Sequence, residues 1–175
     1  MKKIFLLSFL LLAGCMPSGF NIYKRDPDQF HPNALATYYT SPISIMHQSL
    51  LGFSYGEFRI YCFRSKINNS WAFRTQIRTS DWMFVEKILF RVDDEVITLT
   101  SEGSPDRSTE ILADNVYCNE GNWFDITETD MAKLSKAKAI AMRLEGRSTY
   151  MDKTLLPEDI ADISKMYWHI MSIAN

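Results

Sequence analysis

A chain of 175 residues with 19 lysines and arginines against 21 aspartates and glutamates, net −2, is long enough for one domain with a real core and short for two. Its 46% hydrophobic and 13% aromatic content excludes a disordered chain. The acidic balance argues against nucleic acid as a partner.

The chain opens with Met1-Lys2-Lys3, then an apolar run from Ile4 to Leu12 broken only by Ser8, then Leu12-Ala13-Gly14-Cys15. A positive start, a short apolar stretch and small residues form a secretory signal. The run is too short to cross a bilayer as a helix. With Cys15 directly after Ala13-Gly14, residues 1–15 resemble a bacterial lipobox, and the resemblance covers only those residues. It implies that residues 1–14 are a signal peptide cut before Cys15, that the Cys15 thiol is diacylated, and that the new amine is open to acylation. Each buried methylene contributes about 0.8 kcal/mol, so two or three chains hold a protein on a membrane. Met16 departs from the aspartate that retains enteric lipoproteins in the inner membrane. This favours the outer membrane, facing the periplasm, where the host has two membranes.

Loss of Lys2 and Lys3 leaves 17 basic and 21 acidic side chains, a formal charge of −4. Residues 15–92 carry nine basic and five acidic side chains; residues 93–175 carry eight and sixteen. Such asymmetry marks an interaction face or two halves that pair within one fold.

Residues 15–34, with Pro17, Gly19, Pro27 and Pro32, read as an acylated cysteine and tether, and residues 35–175 as a single globular domain. Phe20, Ile22, Tyr23 and Phe30 are apolar enough for part of the tether to pack on that domain. Residues 35–56 are ambiguous between short helical and extended pieces. Glu57 to Arg64 reads as a strand with Phe58, Ile60 and Cys62 on one face. Asn68-Asn69 marks a turn. Trp71 to Thr79 alternates most cleanly: Trp71, Phe73, Thr75 and Ile77 point inward, and Ala72, Arg74, Gln76 and Arg78 outward. Phe84 to Val92 and Val96 to Thr100 form a hairpin around Asp93-Asp94-Glu95. Glu102-Gly103-Ser104-Pro105-Asp106 reads as a loop, Glu110 to Cys118 as a strand, and Asn119-Glu120-Gly121-Asn122 as a turn into Trp123 to Ile126. Thr127 caps a short helix with Asp130 at the capping-box position. Ala137 to Glu145 alternates until Gly146. Pro157 opens a last helix whose Ile160, Ile163, Tyr167, Ile170 and Ala174 form one apolar stripe. The pattern predicts an α+β fold: a curved antiparallel sheet of about six strands with the short helix and the C-terminal helix packed on it.

His31, His47 and His169 have no ligand partner at metal spacing, so no metal site or cofactor is predicted. Neither HExxH, a Gly-rich phosphate loop nor GxSxG occurs. Asp93-Asp94-Glu95 reads as a solvated hairpin tip, since the EF-hand spacing is missing. Cys62 and Cys118 are either a disulfide, natural in an exported protein, or two separate buried thiols. The outward Arg74 and Arg78, with Arg59, Arg64, Lys66, Lys87 and Arg91 on flanking segments, make a candidate face for an anionic partner: lipid, glycan or acidic envelope protein. Cross-strand pairing with Glu57, Glu86 and the acid-rich second half is the competing use of the same charges.

The expectation is a membrane-anchored envelope lipoprotein with a non-catalytic binding or scaffolding domain. The rivals are an envelope hydrolase with scattered site residues, and a surface-exposed lipoprotein contacting a host or neighbouring cell. Metabolic labelling with a fatty acid should mark the wild-type protein and not Cys15→Ser; equal labelling of both would exclude Cys15 as the attachment site.

Overall fold

The computed structural model describes residues 20–26, 35–49, 52–64, 69–112 and 115–174. Cys15, Met16, His31 and most of the expected tether lie outside them. Two antiparallel sheets and two helices make an α+β fold.

The larger sheet holds β1 (Ile22–Arg25), β2 (Ala36–Thr40), β3 (Ile43–Ser49), β4 (Gly52–Arg64), β5 (Asn69–Thr79), β8 (Glu102–Leu112) and β9 (Asn115–Ile126), in the order β1-β2-β4-β5-β9-β8, with β3 also on β4. Residues 22–25, expected in the tether, are therefore an edge strand of the domain, and the ambiguous stretch before Glu57 is extended. β2 and β3 lie end to end along β4. Between them Pro42 has no N–H to offer the ladder, and the Thr40 hydroxyl accepts the Ile60 N–H at 3.1 Å.

The smaller sheet takes β6 (Val85–Val92), β7 (Glu95–Thr100), β10 (Ile140–Gly146) and β11 (Tyr150–Thr154) in the order β11-β10-β6-β7. The expected Phe84–Thr100 hairpin thus belongs to a second sheet. Its apolar side, with Ile88, Phe90, Met142 and Leu144, is buried, and it meets the larger sheet where Phe73 and Phe90 stand 5.1 Å apart. Helices α1 (Glu128–Lys136) and α2 (Pro157–Ala174) cover the rest of that inner face, with Tyr167 5.9 Å from Trp71. Thr127 caps α1, accepting the Asp130 N–H at 3.1 Å. Asp159 accepts the Leu156 N–H at 3.0 Å at the start of α2. No basic residue stands in the last turn of α2; Arg64 reaches over from β4 to the Ile173 carbonyl, 2.6 Å away.

Three local expectations are corrected. Glu102–Asp106 is not a free loop: it lies within β8, where the register with β9 slips between Glu102 and Asp106. Gly103 there takes a left-handed φ of 70°. Glu110 to Cys118 is not one strand but the two arms of a hairpin, with Leu112 opposite Asn115. Asn119-Glu120-Gly121-Asn122 is not a turn but the middle of β9, because all four pair with both β5 and β8 or with β5 alone.

Glu120 explains the last of these. Its side chain points inward, where it is 1% exposed. It accepts the backbone N–H groups of Met83 (2.6 Å), Phe84 (2.8 Å) and Val85 (3.2 Å). Successive N–H groups converging on one anion form a backbone nest, and here a left-handed Phe84, φ 52°, bends the chain into it. This crossing carries the chain from β5 in one sheet to β6 in the other. The Met83 carbonyl on the opposite side accepts the Arg147 N–H at 3.2 Å. Gly146 permits that approach, since a Cβ there would stand 2.1 Å from the carbonyl oxygen.

Glu120→Ala strands three backbone donors, two of them buried, and should lose about 3 kcal/mol or more, a fall in Tm of roughly 6–12 °C for a chain of this size. Glu120→Gln should lose less, and Gly146→Ala should be severe. Thermal melts of the three would check this; a melt unchanged in Glu120→Ala would remove the nest from the account.

Candidate functional site

The outer face of the larger sheet follows from alternation. In β5 the burial of Trp71, Phe73, Thr75 and Ile77 turns Ala72, Arg74, Gln76 and Arg78 outward. Register then sets rows across the strands. Tyr23, Tyr39, Tyr61 and Ala72 form one row, and Arg59, Arg74 and Trp123 the next. Glu57, Gln76, Gly121 and Asp106 follow, and then Tyr55, Arg78, Asn119 and Ser108.

The first row is a ladder of rings. Tyr23 and Tyr39 stack at 5.2 Å, Tyr39 and Tyr61 at 5.7 Å, and Tyr61 and Phe63 at 6.2 Å. Ala72 is small enough for Tyr61 on β4 and Trp123 on β9 to meet across β5 at 4.7 Å. Ala72 is therefore 2% exposed although it faces outward. Because the tyrosine rings stand face to face, their faces are taken up within the ladder and not by the groove beside them. That groove, about 390 Å³, is lined by Arg25, Thr37, Tyr39, Arg59, Tyr61, Phe63, Arg74 and Trp123.

A second groove of about 640 Å³ lies on the same face and includes Tyr55, Glu57, Gln76, Arg78, Asp106 and Asn119. Its carboxylates are engaged. Glu57, 8% exposed, takes the Tyr55 hydroxyl and Arg59 Nη2 at 3.3 Å. Burial, then the bond to Glu57, pushes the Tyr55 phenol up to about 12. Asp106 takes Arg74 Nη2 at 3.2 Å, and Glu110 pairs with Arg78.

Arg74 and Arg78 thus share this face, as alternation predicts, and each is also paired with an acid of the second half. Arg74 lies over the Trp123 ring at 5.3 Å, and Arg78 lies over the Tyr117 ring at 5.5 Å and donates to Asn119 at 3.3 Å. What sequence reasoning missed is Arg59 directly opposite Arg74, together with the aromatic row. Arg59, Tyr61, Phe63 and Trp123 sat in segments read as strands, whereas Tyr23 fell in the expected tether and Tyr39 in the ambiguous stretch; the register that joins them depends on pairings no local pattern states.

The candidate Cys62–Cys118 disulfide is corrected: both are free, buried thiols. Cys62 pairs in register with Trp71 and Cys118 with Thr79. Eight strand steps at about 3.4 Å put them roughly 27 Å apart along the sheet, far beyond disulfide reach. Asp93 does not stand as a free acid: it accepts the Lys138 and Ala139 N–H groups at 3.3 and 3.1 Å, and Glu95 holds Lys133 at 2.7 Å. His169 lies on α2 with its ring 6.1 Å from that of Tyr38. Among the described residues no group of histidines, cysteines and acids is arranged to hold a metal ion. No protein-family model matches the chain, and comparison with curated proteins and with solved structures finds no match either.

Burial pushes the Cys62 thiol up to about 12 from 9.0, and the Cys118 thiol in the same direction. The folded Cys62 therefore stays protonated while the unfolded one ionises. Its contribution is complete below pH 9 and is lost as pH rises from 9 towards 12. Alkylation at pH 8 should leave Cys62 unmodified in the native protein and modify both thiols after denaturation. A linked Cys62–Cys118 peptide in a non-reduced digest would contradict the fold.

Proposed function

We propose that this is a lipid-anchored envelope lipoprotein whose outer sheet face binds an anionic partner. The observation that carries the reading is the Arg59–Arg74 pair. Like charges directly opposite on neighbouring strands are destabilising, yet these two face each other at the wall of a groove. Glu57 and Asp106 each hold only one of their terminal nitrogens, and both Nε atoms are buried without a partner among the described residues. A third arginine, Arg25, lines the same groove, whose described lining includes no acid. Such a concentration of donors costs the empty fold and is offset when an anion arrives.

The anchor supports the same reading. Among the described residues no helix is long and apolar enough to cross a membrane, so attachment rests on the acylated Cys15 of the signal-like start. Five chain steps separate Cys15 from Phe20, at most about 18 Å of reach. On this reading the folded body is held close to the membrane surface, on its periplasmic side where the envelope has two membranes. The domain recognises rather than transforms its partner, since the carboxylates of this face are already committed to arginines and a phenol.

Pull-downs from envelope extract with wild-type and Arg59→Glu/Arg74→Glu protein, with melts alongside, test the face. The variant should lose its anionic partner while keeping its Tm within a few degrees, and salt should mimic the loss for wild type. An identical partner set at low salt would refute the face.

A further inference from the structure

The lining of the smaller groove narrows the anion. Tyr39, Tyr61 and Phe63 have their faces turned to one another. The ring faces are thus taken up within the ladder, and Tyr39 and Tyr61 carry phenolic hydroxyls among the groove's lining residues. Arg25, Arg59 and Arg74 supply guanidinium N–H groups, and Thr37 one more hydroxyl. Arg59 and Arg74 remain about a third exposed, at 33% and 30%, so part of each guanidinium is open to a ligand. A carboxylate has two oxygens in a plane and is satisfied by one arginine. Two opposed guanidiniums with a third nearby and hydroxyl donors around them suit an oxyanion with three acceptor oxygens and up to two charges.

We infer that the Arg59–Arg74 groove is a binding site for a phosphate monoester, and that the ester it takes is carried on a lipid headgroup of the membrane that anchors the protein. The inference rests on the anionic-partner reading above and on the acylated Cys15. A tether of at most about 18 Å holds β1, the edge strand next to this groove, within reach of the headgroup layer. A tethered site meets headgroups at a high effective concentration, so modest intrinsic affinity suffices. A flat docking of the whole face on an anionic bilayer is disfavoured, because Glu57, Asp106 and Glu110 lie on the same face. A single headgroup entering the acid-free groove avoids them.

The chemistry has its own signature. A phosphate monoester gains its second charge near pH 6. Histidine is the side chain that ordinarily changes charge between about pH 5 and 8, and none lines the groove among the described residues. Glu57 and Asp106, the acids bonded to the two arginines, are carboxylates already engaged by them. Binding that tightens as pH rises through about 6 therefore reports the ligand.

The experiment uses full-length, acylated protein in nanodiscs of neutral phosphatidylcholine, alone or mixed with phosphatidic acid or phosphatidylglycerol. Hydrogen exchange over residues 59–63 and 72–74 is the readout, and glycerol 3-phosphate the soluble competitor. Phosphatidic acid should slow exchange there, more at pH 7 than at pH 5. Glycerol 3-phosphate should reverse the effect, and Arg74→Gln should weaken it about tenfold or more with its melt preserved. Should Arg74→Gln fail to fold, Arg59→Lys, which keeps the charge but loses the planar fork, serves the same end. Equal protection by phosphatidylglycerol with no pH step would overturn the monoester assignment. Binding of glycerol 3-phosphate without any effect of phosphatidic acid would overturn the headgroup assignment. Binding of a galacturonate oligomer alone would overturn both and leave the anionic-partner reading standing; no response to any anion would bring down that reading as well.

Discussion

The structure depends on one buried carboxylate. A sheet that leaves its plane to start a second sheet must expose or satisfy the backbone groups of the crossing. Here the crossing residues Met83, Phe84 and Val85 all point their N–H groups at Glu120. A left-handed phenylalanine costs roughly 1–2 kcal/mol, and bonds to a charged acceptor contribute roughly 1.5–3 kcal/mol each, so the bend is stable only with the acid in place. Arg107, 3.7 Å from Glu120 and 4.8 Å from the centre of the Phe84 ring, adds a cation to the same corner. Arg147 covers Phe84 at 5.2 Å and ties the corner to the end of β10. The two sheets are thus held at a fixed corner as well as by the core packed between them.

The outer face works by the opposite logic. The inner face holds Glu120 on three backbone donors, although the buried Trp71 Nε1, Thr75 Oγ1 and Asn122 Nδ2 have no partner among the described residues; the outer face sets like charges in register. Glu57 and Asp106 each hold one terminal nitrogen of Arg59 and Arg74, and the aromatic row lies beside them. A ladder of stacked rings loses little conformational freedom when a ligand arrives, because its side chains are already ordered. On the proposed reading, the energy given up in the empty site is then available for recognition.

Alternation made much of this legible. The inward set of β5, the Thr127 cap of α1, the Pro157 start of α2, the β6–β7 hairpin and the outward placement of Arg74 and Arg78 all follow from side-chain period and helix-end chemistry, which are local. What was illegible depended on register or on a polar group with a distant partner. Asn119-Glu120-Gly121-Asn122 has the composition of a turn, and its glutamate looks like a surface residue. Its partners are backbone N–H groups 35 to 37 residues away, and backbone donors leave no mark in sequence. Glu102–Asp106 misled for a related reason. Gly103 and Pro105 are breakers, but an edge strand absorbs a glycine and a proline as an irregularity where a central strand cannot. The cysteines stayed open between a bridge and two buried thiols because the signal-like start raises the prior for a disulfide without saying anything about distance.

Strand β9 joins the two logics. Its inward residues, Cys118, Glu120, Asn122 and Phe124, belong to the core and the corner; its outward residues, Asn119, Gly121 and Trp123, belong to the grooves. Successive side chains of one strand point to opposite faces, so one backbone rigidly couples what fixes the sheets to what lines the site. Trp123 stands three residues from Glu120, and the ring that meets Tyr61 and carries Arg74 is positioned by the strand whose place the nest secures. Loosening the corner would let β9 shift against β5, and a small slip would carry Trp123 out from between Tyr61 and Arg74. Arg59, Arg74 and Trp123 lie on the opposite face of the sheet from the nest, so a substitution there bears on the corner less directly. Damage at Glu120 should therefore be felt at the groove as well as in stability. A rigid scaffold that positions charged and aromatic side chains at its surface is the arrangement on which binding residues are commonly carried.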